Sequence, residues 1–353
     1  IAGLGPIFGA IAGAMFGPAA FLWIVLGSIF AGAVHDYFSG MLSIRHDGLS
    51  ISEVVGIYLG PTAKQFMRLF SVVLLIFVGT VFLVGPAKII DGMTGNIWNV
   101  WIWVAIILVY YVLSTLLPID KLISKLYPIF GVAMLLMAIG LVIALFFGDY
   151  NIPELVPANL INMTSDPEAT PLFPILFITI ACGAISANEI SLNMLGQIGG
   201  VLALLGIVAA PITSGDTAFR SARLILSDIF KSNQKKIVNR LLISLPLFVI
   251  AFVLTQIDFG IIWRYFAWSN QTLAMIVLWT ITAYLIYENK AYWVTLLPAI
   301  FMTMVCSTYI LIAPEGFKLP NDISYIGGTL ITLTITISFW VYTSQKKKVF
   351  VGV

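Results

Sequence analysis

The chain opens with IAGLGPIFGAIAGAMFGP at residues 1–18 and continues without a polar break into AAFLWIVLGSIFAGAVHDYFSGMLSI at residues 19–44. In the first of these stretches a glycine recurs at every fourth position. On a helix such residues lie one turn apart on one face, so they leave a groove into which a second helix can pack closely. The residues concerned are Gly5, Gly9, Gly13 and Gly17. The opening therefore predicts a tightly packed helix pair over residues 1–47.

The second helix of this pair, predicted from Pro18 to Ile44, carries His35 and Asp36 near its end. Ionisable residues in an apolar span are costly unless they face protein or water. Imidazole titrates near neutral pH, and a neighbouring carboxylate shifts its pKa, so one interpretation is a proton-carrying pair. The alternative is a pair at the cytoplasmic membrane edge that holds the following connector in place.

The composition indicates a membrane protein. Of the 353 residues, 60% are hydrophobic and 10% are charged, and the mean hydropathy is +1.03. That charge is too little for a soluble surface, and apolar runs of membrane-spanning length recur along the chain. Alternation typical of strands is absent, which argues against an outer-membrane barrel. We therefore predict an all-α polytopic membrane protein with one transmembrane domain over residues 1–353.

The apolar runs also predict the positions of the remaining membrane helices, with about ten visible in all. A polar connector at 45–65 contains a short surface helix from Ser50 to Tyr58, with Ser50 or Ser52 as its cap. The later predicted spans are 66–87, 98–117, 122–147, 171–186, 197–213, 237–256, 270–287, 292–313 and 322–343.

The distribution of charge predicts the orientation of these spans. The basic connector should be cytoplasmic, and the loop at 148–170, which has acidic residues but no Lys or Arg, should be external. With one crossing per span, the basic segments at 231–240 and 346–348 then come out on the wrong side. One extra crossing before the 197–213 span would correct both and leave the C-terminus cytoplasmic. We therefore expect that residues are missing near Ser186–Asn188, and that the N-terminus is truncated.

A second polar segment, APITSGDTAFRSAR at 210–223, follows an apolar run. Pro, hydroxyls, Gly and an acid are typical of an unwound membrane helix whose carbonyls coordinate a cation or bind a substrate. Asp216, Arg220 and Arg223 fit one helical face, which can hold an ion pair with a spare guanidinium for a carboxylate. The alternative is a helix end with an interfacial salt bridge. The candidate binding residues here are Thr213, Ser214, Asp216, Thr217 and Arg220.

Other polar positions have simpler interpretations. Gly3–Pro6 suits either a broken helix that aims N–H groups at an anion or glycine packing alone. Trp268–Gln271 is expected to open a span, where Asn or Gln would either cap the helix or contact the solute. Lys88 is expected to snorkel at the outer face and His46 to lie at the surface.

The residue inventory contains little that would support enzymatic chemistry. Cys182 and Cys306 lie in apolar spans, and the two His and two Cys offer no metal-ligand or haem spacing. Walker and nucleophile-elbow sequences are absent. We expect no enzyme activity, no cofactor, no bound metal and no nucleic-acid partner.

Three long blocks resemble the carbon starvation protein A family. They are IAG-x-GPI with the 21–50 stretch, FPILFITIACGAIS at 173–186, and PITSGDTAFRSARLILSDI at 211–229. The resemblance covers most of the chain to about residue 290. It departs from the family in lacking the sequence upstream of IAG and the segment that follows GAIS.

The resemblance implies a cytoplasmic-membrane uptake carrier, coupled to protons, for peptides or small carboxylates such as pyruvate. It also implies kinship with the amino acid–polyamine–organocation superfamily, whose core is a five-plus-five inverted repeat with broken first and sixth helices. Under that mapping Gly3, Gly5 and Pro6 lie at the first break, and Ala181–Ser186 at the sixth. Thr213 and Ser214 would fall on the eighth helix.

We therefore predict a secondary active transporter in a lipid bilayer, with an unresolved oligomeric state. The substrate would lie near mid-membrane, and His35, Asp36 and Asp216 are the candidates for proton coupling. The predicted lining of the site comprises Gly3, Gly5, Pro6, Cys182, Gly183, Ser186, Thr213, Ser214, Asp216, Thr217 and Arg220. The rival hypotheses are a channel, a membrane enzyme and a structural helix-bundle subunit. The residues leave open whether the substrate is a peptide or pyruvate.

Overall fold

A computed structural model of the protein describes residues 13, 15–95, 97–116, 120–148, 154–179, 202 and 208–350. Within these ranges the regular structure is helical and no strand occurs. The helices are α1 (Ala19–Gly27), α2 (Ala33–Arg45), α3 (Ile51–Leu59), α4 (Pro61–Met93), α5 (Val100–Leu116), α6 (Asp120–Phe147), α7 (Phe177–Thr179), α8 (Ala210–Ile229), α9 (Ile237–Leu254), α10 (Phe259–Tyr287), α11 (Trp293–Ile312) and α12 (Asn321–Phe350).

Seven helical segments of the described chain are long and apolar enough to cross a membrane. A bilayer core about 30 Å thick needs about 20 helical residues. The segments are Ala19–Arg45, Pro61–Met93, Pro128–Phe147, Ile237–Leu254, Phe259–Tyr287, Trp293–Ile312 and Asn321–Lys346, and Val100–Leu116 is a shorter apolar helix. The prediction of an all-helical, multi-pass membrane protein is confirmed.

The first span consists of α1 and α2 joined by a π-helical segment, Ser28–Gly32. Its pattern is visible where the N–H of Ala33 donates to the carbonyl of Ser28, five residues back. The span ends at Arg45, and the backbone then turns through Asp47 and Gly48, both at positive φ. The single helix predicted for residues 18–44 is confirmed, although one turn of it is wound more loosely.

The prediction that Gly17 continues the glycine groove of the first helix is wrong. Gly17 lies in a turn at φ +76°, in the left-handed region that glycine adopts without strain. The side chain of Met163 occupies the space beside its Cα. Gly13 is helical and buried, whereas Gly5 and Gly9 lie outside the described residues. The groove therefore does not continue to Gly17.

The predicted helix of the connector is confirmed as α3, but it is not a surface helix. Ser52, Val54, Val55 and Tyr58 are buried. Ser50 occupies the N-cap position without a capping bond, because its hydroxyl pairs with that of Ser52 at 3.0 Å.

The chain divides into two compact units. The first unit comprises Ile1–Met15, Val72–Glu154 and Ile180–Phe266, and the second comprises Phe16–Ser71, Leu155–Thr179 and Ala267–Val353. Both α4 and α10 contribute residues to each unit.

The core of the first unit is an apolar cluster contributed by α4, α5, α8 and α9. Its close packing depends on a glycine: Gly79 of α4 lies under the ring of Phe219 of α8, with no room for a Cβ. The cluster comprises Val72, Ile76, Leu83, Ala87, Val104, Ile107, Tyr111, Phe219, Ala222, Leu247, Phe248 and Ala251.

The second unit is held by α10, α11 and α12, and its interior contains many hydroxyl groups. Trp279 Nε1 donates to Thr303 Oγ1 at 2.9 Å, and the hydroxyls of Thr282 and Thr295 lie 2.8 Å apart. Thr282 and Thr303 also donate to the carbonyl four residues back and Thr295 to the carbonyl three residues back, so each of these three hydroxyls has a partner. The interior polar groups of this region are therefore uncharged.

The structure corrects the interpretation of Trp268–Gln271. These residues lie inside α10, not at its start, because the helix begins at Phe259. Asp258 supplies the capping oxygen there, accepting from the N–H of Gly260 at 2.9 Å and of Ile261 at 3.3 Å. The predicted span 270–287 is therefore eleven residues too short at its N-terminal end.

Candidate functional site

Asp216, the acid singled out in the sequence, is buried in the first unit, with 4% of its surface exposed. Its Oδ1 accepts a hydrogen bond from the hydroxyl of Ser114 on α5, and its Oδ2 lies 3.2 Å from Nη2 of Arg220. Both carboxylate oxygens are thus engaged by donors, as a buried charge requires.

The spacing of charges along α8 produces this arrangement. Asp216 and Arg220 are four residues apart, which places them one turn apart on the same helical face. The acid lies at the buried end of this face, and the side chain of Arg220 is 27% exposed. The predicted i, i+4 ion pair is therefore present.

Tyr111 of α5 closes one side of the site. Its hydroxyl donates to the main-chain carbonyl of Phe82 at 3.1 Å and lies where a Cβ on Gly215 would be. Its ring packs against Phe219, with 5.5 Å between centroids. A glycine immediately before Asp216 thus lets a tyrosine contact the α8 backbone.

The expectation of an unwound segment at Thr213–Asp216 is wrong. Residues 210–229 form one continuous helix, in which Pro211 lies in the first turn. Proline is compatible with that position because its missing N–H would have no helical partner there. The Thr217 hydroxyl donates to the carbonyl of Thr213 at 3.1 Å. The site therefore consists of side chains rather than released carbonyls.

The other predicted residues of α8 lie on or beside this site. Thr213 is buried, Ser214 is half-buried and Thr217 is exposed. The remaining predicted lining residues lie outside the described part of the chain: Gly3, Gly5, Pro6, Cys182, Gly183 and Ser186. The same holds for the junction at 186–188.

His35 and Asp36 belong to the second unit and form the contact that their adjacency suggested. The distance from His35 Nδ1 to Asp36 Oδ1 is 2.8 Å, and the two side chains are 21% and 82% exposed. The Nε2 atom of His35 is buried without a hydrogen-bond partner among the described residues. The imidazole is therefore held at one nitrogen and unpaired at the other.

A group of charged and phenolic side chains, which the sequence did not reveal, gathers at one end of the second unit. The guanidinium of Arg45 donates to Tyr284, His46 Nε2 lies 2.8 Å from the hydroxyl of Tyr58, and Lys346 donates to the carbonyl of Ile57 at 2.7 Å. The end of α12 therefore lies beside the connector helix α3.

Glu53 of α3 joins this group by accepting from both Lys64 and Arg68 of α4. Burial alone would raise the pKa of the Glu53 carboxyl, but the hydrogen bonds and charges of the two basic residues outweigh it and lower the pKa. For Tyr58, burial raises the pKa, assisted by Tyr284 and Glu288 and opposed by Arg45.

The most informative residue that the sequence interpretation missed is Ser114. It is separated from Asp216 by 102 positions, so local patterns cannot pair the two. The available signal was the Ser114–Thr115 pair at the end of an otherwise apolar helix. Chemically, the site can hold a negative charge, accept a proton on Asp216 and offer the Arg220 guanidinium to an anion. The described residues contain no group of His, Cys, Asp and Glu that could hold a metal ion.

Comparison with known proteins gives a consistent picture. The family model for the carbon starvation protein CstA matches residues 1–139 and 187–309. An uncharacterized membrane protein of Haemophilus influenzae is 38% identical over 235 residues, which is 53% of this chain and 63% of the relative. An uncharacterized protein of the same organism is 52% identical over 117 residues, 33% of this chain and 85% of the relative.

A named relative matches a shorter stretch. The peptide transporter CstA of Escherichia coli is 41% identical over 64 residues, which is 18% of this chain and 9% of the transporter. The chain thus spans less than two thirds of the first relative and a small part of the peptide transporter. No solved structure matches.

Proposed function

The chain belongs to the carbon starvation protein CstA family, and from that premise we propose that it acts as a secondary active transporter that takes up peptides, coupled to protons. The observation that carries this proposal is the buried carboxylate of Asp216, held between Ser114 and Arg220 in the apolar core of the first unit. A charged side chain in such surroundings is expensive and is characteristic of substrate or proton pathways in membrane proteins.

The site suggests how its own residues would act. A peptide carries an ammonium group and a carboxylate, which match Asp216 and Arg220 respectively. Protonation of Asp216, or its contact with an ammonium, removes the charge that holds Arg220. The guanidinium is then available for the substrate carboxylate, to which it can present two parallel N–H donors. Proton binding and substrate binding would thereby favour each other.

A small carboxylate such as pyruvate is the second candidate substrate. The partial exposure of the Arg220 side chain, 27%, favours it, since this cation remains accessible while its partner acid is buried. Pyruvate has no ammonium group for Asp216. Proton uptake on that residue would then serve only to release Arg220.

The remaining parts of the proposal concern orientation and architecture. Positive charges favour the cytoplasmic side, and Arg45, Lys64, Arg68 and Lys346 belong to one group in the second unit. This supports a cytoplasmic C-terminus in the inner membrane. His35 and Asp36 are proposed as a second coupling pair. We further propose about ten membrane helices, arranged as a five-plus-five inverted repeat. This architecture would make the chain a relative of the amino acid–polyamine–organocation superfamily.

The test is uptake of a labelled dipeptide and of labelled pyruvate into proteoliposomes, with and without an inward proton gradient. We expect gradient-driven accumulation of one of them, abolished by Asp216→Asn. The matched control is Asp228→Asn, the same change at an exposed position on the same helix, which should transport like wild type. Wild-type uptake by Asp216→Asn would contradict the assigned role, and flux without accumulation against a gradient would favour a channel.

A further inference from the structure

Arg223 of α8 is a nearly buried cation with one N–H that has no acceptor among the described residues. It is 8% exposed, and its Nε atom is buried with no hydrogen-bond partner among the described residues. A buried N–H of a charged guanidinium that lacks an acceptor is unfavourable, so such groups are usually found beside an anion or another acceptor. Asp216 does not accept from this Nε atom, and its Oδ2 lies beside Nη2 of Arg220 instead.

Further positive charge surrounds Arg223. Burial lowers the pKa of its guanidinium, and the nearby charges of Arg220 and Arg240 lower it further, while Asp216 acts in the opposite direction. The guanidiniums of Arg220 and Arg240 are therefore each close enough to repel that of Arg223, and the carboxylate of Asp216 partly offsets them. An added anion would relieve both the repulsion and the unpaired N–H.

The turn between α8 and α9 adds a neutral donor. The side-chain amide of Gln234 is buried, with neither its nitrogen nor its oxygen bonded within the described chain. Arg240 Nε donates to the main-chain carbonyl of Gln234 at 2.6 Å, which places the Arg240 guanidinium beside the turn. The turn itself is held by Ser227, whose hydroxyl donates to the carbonyl of Ser232 at 2.9 Å. The unpaired groups thus belong to an ordered loop.

The surface around this loop has the composition of a membrane interface. Phe230 is 67% exposed and Ile237 is 52% exposed, and they flank a segment that carries three exposed lysines. Apolar side chains interleaved with basic ones are typical of segments that contact anionic headgroups. The exposed lysines are Lys231, Lys235 and Lys236.

We propose that Arg223, Arg240 and the Gln234 amide form a binding site for a phosphate-type oxyanion, supplied by the phosphodiester of an anionic phospholipid. The planar guanidinium fork matches the geometry of phosphate oxygens, and the Gln234 amide adds a further N–H donor. The apolar rim accounts for a lipid as the source. The argument for this site does not rest on the proposed transport activity.

The test measures thermal unfolding of the purified full chain in detergent with phosphatidylglycerol, phosphatidylcholine or inorganic phosphate added. Phosphatidylglycerol should raise the unfolding temperature of the wild type, and phosphatidylcholine should not. Arg223→Gln should weaken the apparent affinity for phosphatidylglycerol at least tenfold. Lys318→Gln, which removes one exposed positive charge in the second unit, should leave it unchanged.

Two further comparisons separate binding from folding. In lipid-free detergent Arg223→Gln should be at least as stable as wild type, because it removes an uncompensated buried charge; marked destabilisation there would assign Arg223 a structural role and overturn the site. Gln234→Leu provides a second variant, in which phosphatidylglycerol binding should also weaken.

Equal stabilisation of wild type and Arg223→Gln by phosphatidylglycerol would refute the proposal. Stabilisation by inorganic phosphate alone would uphold the oxyanion site and refute the lipid as its source.

Discussion

In the first unit the polar groups of α8 include a buried carboxylate, a nearly buried guanidinium and a partly exposed one. In the second unit the buried groups of α10 and α11 are hydroxyls and an indole. The hydroxyls of the second unit bond to carbonyls of their own helices and to each other. Its salt bridges include those of Glu53, which join α3 to the start of α4. Neutral networks stabilise a bundle at low electrostatic cost, whereas a charge buried in an apolar cluster lowers stability unless it is paired. From this comparison we expect the first unit to carry the proposed chemistry of Asp216 and the second to contribute mainly rigidity.

The largest stability effect should come from the packing that encloses the charge. Gly79→Ala would push a methyl group into the ring of Phe219, and overpacking of this kind costs about 1–3 kcal/mol. Thermal unfolding in detergent measures the loss. Gly92→Ala, on the same helix α4 with no atom within 4 Å of the added Cβ, is the control and should be neutral or slightly stabilising. Equal behaviour of the two variants would show that α8 does not pack closely on α4.

The neutral network of the second unit can be tested in the same way. Thr303→Val keeps the side-chain shape but leaves the Trp279 N–H without its acceptor, and an unsatisfied buried donor costs about 1–3 kcal/mol. Thr334→Val provides the control, because that hydroxyl is exposed and donates only to the carbonyl of Leu330. Uptake per folded molecule should stay at the wild-type level, whereas lost uptake would mean that the second unit also carries the chemistry.

The smallest effect should come from the charges at the helix ends. The pKa of Glu53 lies below its ordinary value of 4.5 in the folded protein, so the unfolded chain binds the proton more tightly. The stabilisation from this group is therefore complete above pH 4.5 and is lost as the pH falls through the lower, folded value. A partly exposed ion pair contributes at most about 1 kcal/mol.

Unfolding measured across this pH range should therefore show a shallower acid decline for Glu53→Gln than for wild type. The same substitution at the exposed Glu168 provides the reference. Identical slopes for wild type and Glu53→Gln would mean that Lys64 and Arg68 do not lower this pKa.

The sequence predicted the positions of several spans well because an apolar length is a local property. The prediction of 237–256 compares with Ile237–Leu254, and that of 292–313 with Trp293–Ile312. The Asp216–Arg220 pair was predictable for the same reason, since four residues make about one helical turn. Ser114 was not, because its contact with Asp216 depends on how α5 and α8 pack.

The two wrong predictions of helix breaks and helix starts arose where the local residue composition suggested one backbone conformation and the surrounding residues favoured another. The Thr-Ser-Gly-Asp segment has the residues of a helix break, but Pro211 occupies the first turn, where it is compatible with a helix, and α8 continues through the segment. The polar residues at 268–271 resemble a helix start, yet the capping oxygen lies ten residues earlier, on Asp258. In both cases the backbone adopted the conformation that satisfied its own hydrogen bonds.

The π-helical turn at Ser28–Gly32 has a consequence for the residues that follow it. An α-helix advances about 100° per residue, and a π turn accommodates one residue more than an α turn would, as an insertion that the helix has absorbed. It therefore sets the rotational phase of everything downstream, including the direction in which His35 and Asp36 point. If the same residues were wound as a regular α-helix, the extra residue would rotate the pair by about 100° about the helix axis, with the composition of the pair itself unchanged. The orientation of a histidine can thus be encoded by helix winding several residues before it.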